Sequence, residues 1–187
     1  MSRWEPNARE RLSEAALELY AERGFEQTTV AEIAGRAGLT ERTFFRHFGD
    51  KREVLFGGAE KLLDLLAETV AAAPAGAAPI EAVAAALAAA GRLIRDPVHS
   101  RRRQAVIDAN AELRERELIK LASWAVTLTA ALRDRGAPEG VAHLAAETGV
   151  AVFKVAFGRW LAEHGEADMP ALVRDCFAEL KGVTAGL

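Results

Sequence analysis

Between residues 28 and 56 the apolar positions recur at helical spacing in short bursts separated by turn residues. Val30, Ile33, Ala34 and Ala37 fall on one face of a helix. Thr29 and Glu32 make an S/T-x-x-E capping box that starts this helix near Val30, and Gly38 can take the left-handed conformation that ends it. Thr40 offers a fresh N-cap for the segment from Glu41 to Phe48. There Leu39, Phe44 and Phe48 turn inward, and Arg42, Thr43, Phe45, Arg46 and His47 are left outward. Asp50 and Glu53 repeat the capping pattern, so a third helix is predicted from 51 to 72, with Leu62, Leu63, Leu66 and Val70 on its inner face.

The rest of the chain reads as helix throughout, with no alternating pattern long enough for a strand. PAGAAP at 74–79 is a loop whose Pro79 suits a first helical turn. Ile80, Val83, Leu87 and Ile94 mark a helix ending before Asp96 and Pro97. Helices follow at about 98–110 and 112–135, the latter stopping at Gly136 with Leu118, Leu121, Ala125, Leu128 and Leu132 inward. Residues 139–164 are apolar nearly all round, which demands burial on two sides, and Gly149, Ala151, Ala156 and Gly158 admit a close neighbour. After Gly165, Asp168 and Pro170 announce a last helix with the stripe Leu172, Val173, Cys176, Phe177 and Leu180.

Two short helices, a tight turn and an outward row of guanidinium, hydroxyl, aromatic and imidazole groups make the layout of a helix-turn-helix DNA reader. Arg can fork onto guanine, Thr can meet a base edge or thymine methyl, and Arg, His and a helix-start Lys51 can hold phosphate. The net charge of -3 argues against indiscriminate coating of nucleic acid. Charge is local instead: Arg36, Arg42, Arg46, Lys51 and Arg52 stand against only Glu41 and Asp50 between 36 and 52. The single Cys176 excludes an internal disulfide framework and fits a reducing cytoplasm. No leader pattern opens the chain, and Pro74, Gly76 and Pro79 break the alanine-rich run from 71 to 90, so no membrane partner is expected.

The run AALELYAERGFEQTTVAEIAGRAGLTERTFFRHFGDKREVL, within Arg9 to Leu55, resembles the N-terminal domain of TetR-family transcriptional regulators. Several spaced motifs match in register: the A-x-x-L-Y-x-x-x-G-F opening, the TTV-x-x-IA helix, the AG-L-T turn and the closing F-R-H-F-x-x-K-x-x-V-L. The resemblance covers about a quarter of the chain. It implies an operator of double-stranded DNA contacted by Thr29, Thr40, Arg42, Thr43, Phe45, Arg46, His47 and Lys51. Phe45 stands where the family usually has Tyr, so a phenolic hydrogen bond to phosphate is lost. Glu41 stands where a basic or neutral residue is common, and its charge suits the N-terminus of its own helix.

The expected fold is therefore all-α, with about nine helices. Residues 1–50 form a three-helix DNA-binding domain, and residues 51–187 form a helical dimerisation and ligand domain. The two last helices would pack against their twofold mates through Val152, Phe153, Trp160, Leu172, Val173 and Phe177 to make a homodimer, as the family does. A small apolar ligand would sit among Ile94, Asn110, Trp124, Thr127 and Thr148, and tilting of the 51–72 helix would carry its effect to the reader. The alternative is a DNA-bound regulator controlled by a protein partner or by abundance. No cofactor or metal is expected: His143 and Glu147 lie four apart, but His47, His99 and His164 are scattered. An enzyme is disfavoured because no nucleophile-base pair or phosphate-cradling glycine loop is spaced for one. The Arg101–Arg103 run is read as a solvated face, and Arg3 and Trp4 as a short N-terminal arm.

Overall fold

The computed structural model describes residues 7–163 and 168–185, so the Arg3–Trp4 arm, His164 and the turn at Gly165 lie outside the described residues. Among the described residues the chain is all helix, with no strand. The helices are α1 (Ala8–Arg23), α2 (Val30–Arg36), α3 (Glu41–His47), α4 (Ala59–Ala71), α5 (Pro79–Gly91), α6 (Pro97–Asp108), α7 (Ala111–Asp134), α8 (Glu139–Ala162) and α9 (Met169–Thr184). A 3₁₀ turn, Glu53–Phe56, precedes α4. Two compact units result. One takes the chain up to Gly58 together with Arg101–Leu118, and the other takes Ala59–Ser100 and the chain from Ile119 onward. The reader thus includes residues 51–58 and 101–118, beyond the boundary at 50 that the sequence suggested.

In the first unit, Leu12, Leu17, Ile33, Phe44, Ile107 and Leu113 are fully buried in one cluster with Phe25, Phe48, Val54 and Phe56. The expected continuous helix over 51–72 is not formed. Asp50 does cap, accepting from the amides of Arg52 at 2.8 Å and Glu53 at 3.2 Å, but what it caps is the 3₁₀ turn. Val54, Leu55 and Phe56 are all buried, and three consecutive inward residues do not suit a one-faced α-helix. Gly57 and Gly58 follow, the latter at φ +82°, and separate this turn from α4. Ser13 donates to the Val54 carbonyl at 3.0 Å. Arg103 donates to that of Leu55 at 2.9 Å, lies 4.9 Å from the Phe56 ring centroid and pairs with Glu117 at 3.6 Å. Burial lowers the Arg103 pKa, against the pull of Glu117. Arg103 is therefore part of the packing and not, as expected, a solvated face.

In the second unit α5 packs against α4, α8 and α9, and its alanines keep those approaches short. It stops at Gly91, earlier than expected. Arg92, Leu93 and Ile94 continue in i→i+3 hydrogen bonds, so Ile94 packs on the core from outside the helix. A β-carbon at 91 would stand 3.3 Å from the Pro170 nitrogen, so glycine lets the end of α5 meet the start of α9. Asp168 caps α9 through the Ala171 amide at 3.1 Å.

Among the described residues α8 is the one helix long and apolar enough to cross a membrane. Here it buries Ala142, Ala146, Val150, Phe153, Ala156 and Trp160 in the core. Its other face is open, with Leu144 70% and Val155 52% exposed. The residues read from sequence as the subunit interface lie on the inner side. Val152, Phe153, Trp160, Val173 and Phe177 are buried in the chain's own core, and Leu172 is half-buried against it.

Candidate nucleic-acid interface

The capping box at Thr29 is present in full. The Thr29 hydroxyl accepts from the Glu32 amide at 3.2 Å, and the Glu32 carboxylate accepts from the Thr29 amide at 2.9 Å. That backbone bond, and then the Thr29 hydroxyl, holds the Glu32 carboxyl below its ordinary range. At the other end of α2, the Leu39 amide reaches the Ala34 carbonyl at 2.8 Å and the Gly38 amide reaches Gly35 at 3.0 Å, the paired bonds of a Schellman turn. Gly38 sits at φ +65°, and a β-carbon there would meet the Arg11 guanidinium at 2.9 Å. The turn between α2 and α3 is thus fixed by hydrogen bonding, by chirality and by space. Thr40 then caps α3 through the Thr43 amide at 3.2 Å, and the two threonine hydroxyls share a bond of 3.1 Å.

On α3 the expected division of faces holds. Phe44 and Phe48 are buried, while Arg42, Phe45 and Arg46 are exposed and Thr43 and His47 are half-buried. Phe45 keeps 56% of its surface in contact with solvent, its ring edge-on to Phe44 at 5.4 Å. An aromatic this open, beside two guanidiniums, suits a sugar-phosphate surface. Glu41, at the first position of α3, is exposed.

The basic residues counted in the sequence are not equivalent in space. Arg36 is held by Glu22 at 3.0 Å and Glu18 at 3.1 Å, carboxylates that α1 supplies from outside the counted stretch. The hydrogen bond from Arg36 lowers the Glu22 pKa. Arg52 forks onto Asp50 and also reaches Glu112 at 3.9 Å. Lys51 donates to the carbonyls of Phe25, Thr28 and Glu26 at 2.9, 3.2 and 3.3 Å, with the Phe25 ring 4.3 Å below its nitrogen. Arg42 and Arg46 remain exposed, with no acidic partner among the described residues. Sequence reasoning missed Arg9 of α1, whose guanidinium lies 5.0 Å over the Phe48 ring. Burial, then Arg46 and Arg9, push the His47 pKa below its ordinary value. Nothing in the sequence around α3 signals a residue so far upstream.

The residues read as a ligand set serve other ends. Asn110 caps α7, its side-chain oxygen accepting from Glu112 at 3.0 Å and Leu113 at 3.3 Å. Trp124 is buried edge-on to Phe153 at 5.1 Å, Thr127 and Thr148 are half-buried, and Ile94 packs beyond α5. A cavity of about 500 Å³ in the first unit is lined by Tyr20, Phe25, Arg102, Val106 and Asn110 among others. A groove of about 460 Å³ in the second runs along Thr69, Ala73, Ala77 and Ala82. Among the described residues no three His, Cys, Asp or Glu side chains are grouped to hold a metal.

Residues 12–56 match the family model of the bacterial regulatory proteins of the tetR family. TcmR of Streptomyces glaucescens, an HTH-type transcriptional regulator, is 36% identical over 88 residues, 47% of this chain and 39% of that protein. The HTH-type transcriptional repressor AcnR of Corynebacterium efficiens is 34% identical over 64 residues, 34% of each chain. The match thus spans two-fifths or less of the length of these relatives. The fold extends further. The fatty acid degradation regulator FadR of Bacillus halodurans superposes with a TM-score of 0.63 at 19% identity, over 97% of this chain and 98% of that one. SmeT in its triclosan complex does so with a TM-score of 0.62 at 21% identity, over 92% and 90%. With its reader matched in sequence and its helical fold shared over nearly the whole length, the chain belongs to the TetR family of bacterial regulatory proteins.

Proposed function

We propose that this protein is a dimeric repressor that binds a near-palindromic operator through α3 and is released from it by a small apolar ligand. The observation that carries the DNA half is α3 itself: capped at Thr40, anchored by Phe44 and Phe48, and presenting Arg42, Phe45 and Arg46 to solvent. A row of two unpaired guanidiniums and an open aromatic ring is costly to keep in water and well matched to a major groove. Thr29, Thr40, Thr43 and His47 border the same face as phosphate contacts.

A dimer is supported by the open side of α8. Leu144, Thr148, Ala151, Val155, Gly158 and Ala162 recur at alternating steps of four and three, and all are exposed or half-buried. That is the spacing of a helix-helix seam, here built largely of small residues. The ligand half is supported by the buried indole N–H of Trp124, which has no hydrogen-bond partner among the described residues. A ligand that accepts one hydrogen bond there would relieve that loss. SmeT, of the same fold, is known in complex with triclosan.

Selection of bound duplexes from a random pool tests the reading. The expected result is one enriched sequence with half-sites about 34–36 Å apart; a pool that stays random after repeated rounds would overturn it.

A further inference from the structure

We infer that Lys51 is a positioning residue for operator binding: it fixes the entry into α2 by gathering three backbone carbonyls, and it gives no hydrogen bond to phosphate. The inference rests on the DNA-binding reading above. An ammonium has three N–H donors, and this one has three acceptors within 3.3 Å, the carbonyls of Phe25, Glu26 and Thr28. The Phe25 ring closes the remaining side at 4.3 Å. The arrangement is held from both ends. Tyr20 donates its hydroxyl to the Lys51 carbonyl at 2.6 Å, and burial, with Asp50 adding to it, raises the Tyr20 pKa so that the phenol stays a donor. Thr28, 1% exposed, donates to the Gly24 carbonyl at 2.9 Å.

Three carbonyl dipoles aimed at one point repel each other unless a cation sits there. Lys51 is that cation. The residue after Thr28 is Thr29, the cap of α2, whose amide and hydroxyl stand at the phosphate-facing start of that helix. Loss of the ammonium frees the turn from Phe25 to Thr28 and with it the orientation of the cap. A phosphate would have to compete for donors already used. A positive residue in this stretch therefore acts on DNA through the backbone it orders.

The test compares Lys51→Met with the parent on the selected operator, well below the melting transition, as a function of salt and in combination with Thr29→Ala. The expected result is binding weakened about tenfold, the scale of one lost charged hydrogen bond, with the salt slope unchanged. Losses with Thr29→Ala should be less than additive, because both changes disorder one cap. A purely stabilising lysine would leave affinity and that coupling untouched. A slope reduced by about one unit, or an affinity equal to the parent's, overturns the inference. Should Lys51→Met not fold, the parent decides by nuclear magnetic resonance of lysine ammonium groups. A Lys51 signal protected in the free protein and unmoved by DNA supports the inference, and one that emerges only with DNA overturns it. A parent that selects no duplex refutes the DNA-binding reading itself, and the inference falls with it.

Discussion

Gly149 of α8 lies against Val83 of α5 so closely that a β-carbon at 149 would overlap the valine Cγ1, with Leu87 Cδ1 next at 3.1 Å. Both neighbours are fully buried, so neither has room to retreat. Gly149→Ala should destabilise the protein. Overpacking costs about 1–3 kcal/mol, against which alanine's helix preference returns up to about 1 kcal/mol. A net loss of about 1–2 kcal/mol would lower the melting temperature by about 2–8 °C. Adding Val83→Ala should make room for the methyl and recover part of the loss. Gly140→Ala, where nothing stands within 4 Å, should be neutral or stabilising. Calorimetry of the variants decides it, and equal melting of Gly149→Ala and parent would mean that α5 and α8 are not packed this tightly.

The basic residues of the reader should separate by their partners. Arg42→Ala should cost about 1–3 kcal/mol of operator binding and relax base preference, as expected of a guanidinium that reads an edge. Arg36→Ala should leave base preference intact, because Glu18 and Glu22 already hold that side chain away from any ligand. Its effect on stability should be within about 1 kcal/mol, the usual worth of exposed pairs. Binding profiles over single-base operator variants distinguish the two. Equal broadening would show that charge alone, and not position on α3, governs recognition.

These contrasts show where sequence was informative. Both caps, the Schellman glycine and the inward and outward sets on α3 follow from local pattern, and Thr29, Gly38, Thr40 and Phe44 are found where it places them. What local pattern does not carry is the partner of a charge. Lys51 reads as a helix-start cation until Phe25 and Thr28 are brought beside it, and Arg36 reads as free until α1 folds across it. The predicted 51–72 helix fails for a related reason: burial of three successive residues is set by α1 and α6, not by the segment's own period. Likewise, on α8 apolar groups occur all round, and only packing shows that Phe153 faces in and Leu144 out.

His47 makes binding and stability respond to pH in opposite directions. Burial first, then Arg46 and Arg9, depress its pKa in the folded protein from the ordinary 6.5, so the ring is neutral at pH 7. As pH falls through about 6.5 the unfolded chain takes up the proton first, so this group removes stability until pH passes the folded value. DNA phosphate favours the imidazolium and raises the pKa in the complex. Operator affinity should therefore rise as pH falls between about 8 and 5.5, with uptake of at most one proton per reader. His47→Gln should flatten that dependence and leave affinity at high pH near the parent's. Fluorescence anisotropy across the range tests it, and a profile unchanged by His47→Gln would assign the titration elsewhere.

Leu144 and Val152 separate an interface from a core. Leu144 is 70% exposed on α8, within the four-three seam that continues to Val155, whereas Val152 is 8% exposed and packs inward. Two charges placed only eight residues apart should thus act differently. Leu144→Glu leaves the subunit core intact and sets like charges across a twofold seam, so the variant should sediment as a folded monomer with parent-like helicity. Val152→Asp buries a carboxylate with no partner, at a cost of about 3 kcal/mol or more, so helicity and assembly should be lost together on warming or in mild denaturant. Operator binding adds a third reading. The monomeric Leu144→Glu protein should keep weak binding to a half-site and lose the gain from a second half-site at the correct spacing, because linkage of two readers raises their effective concentration only while the seam holds. A Leu144→Glu protein that sediments and binds like the parent would remove α8's open face from the interface.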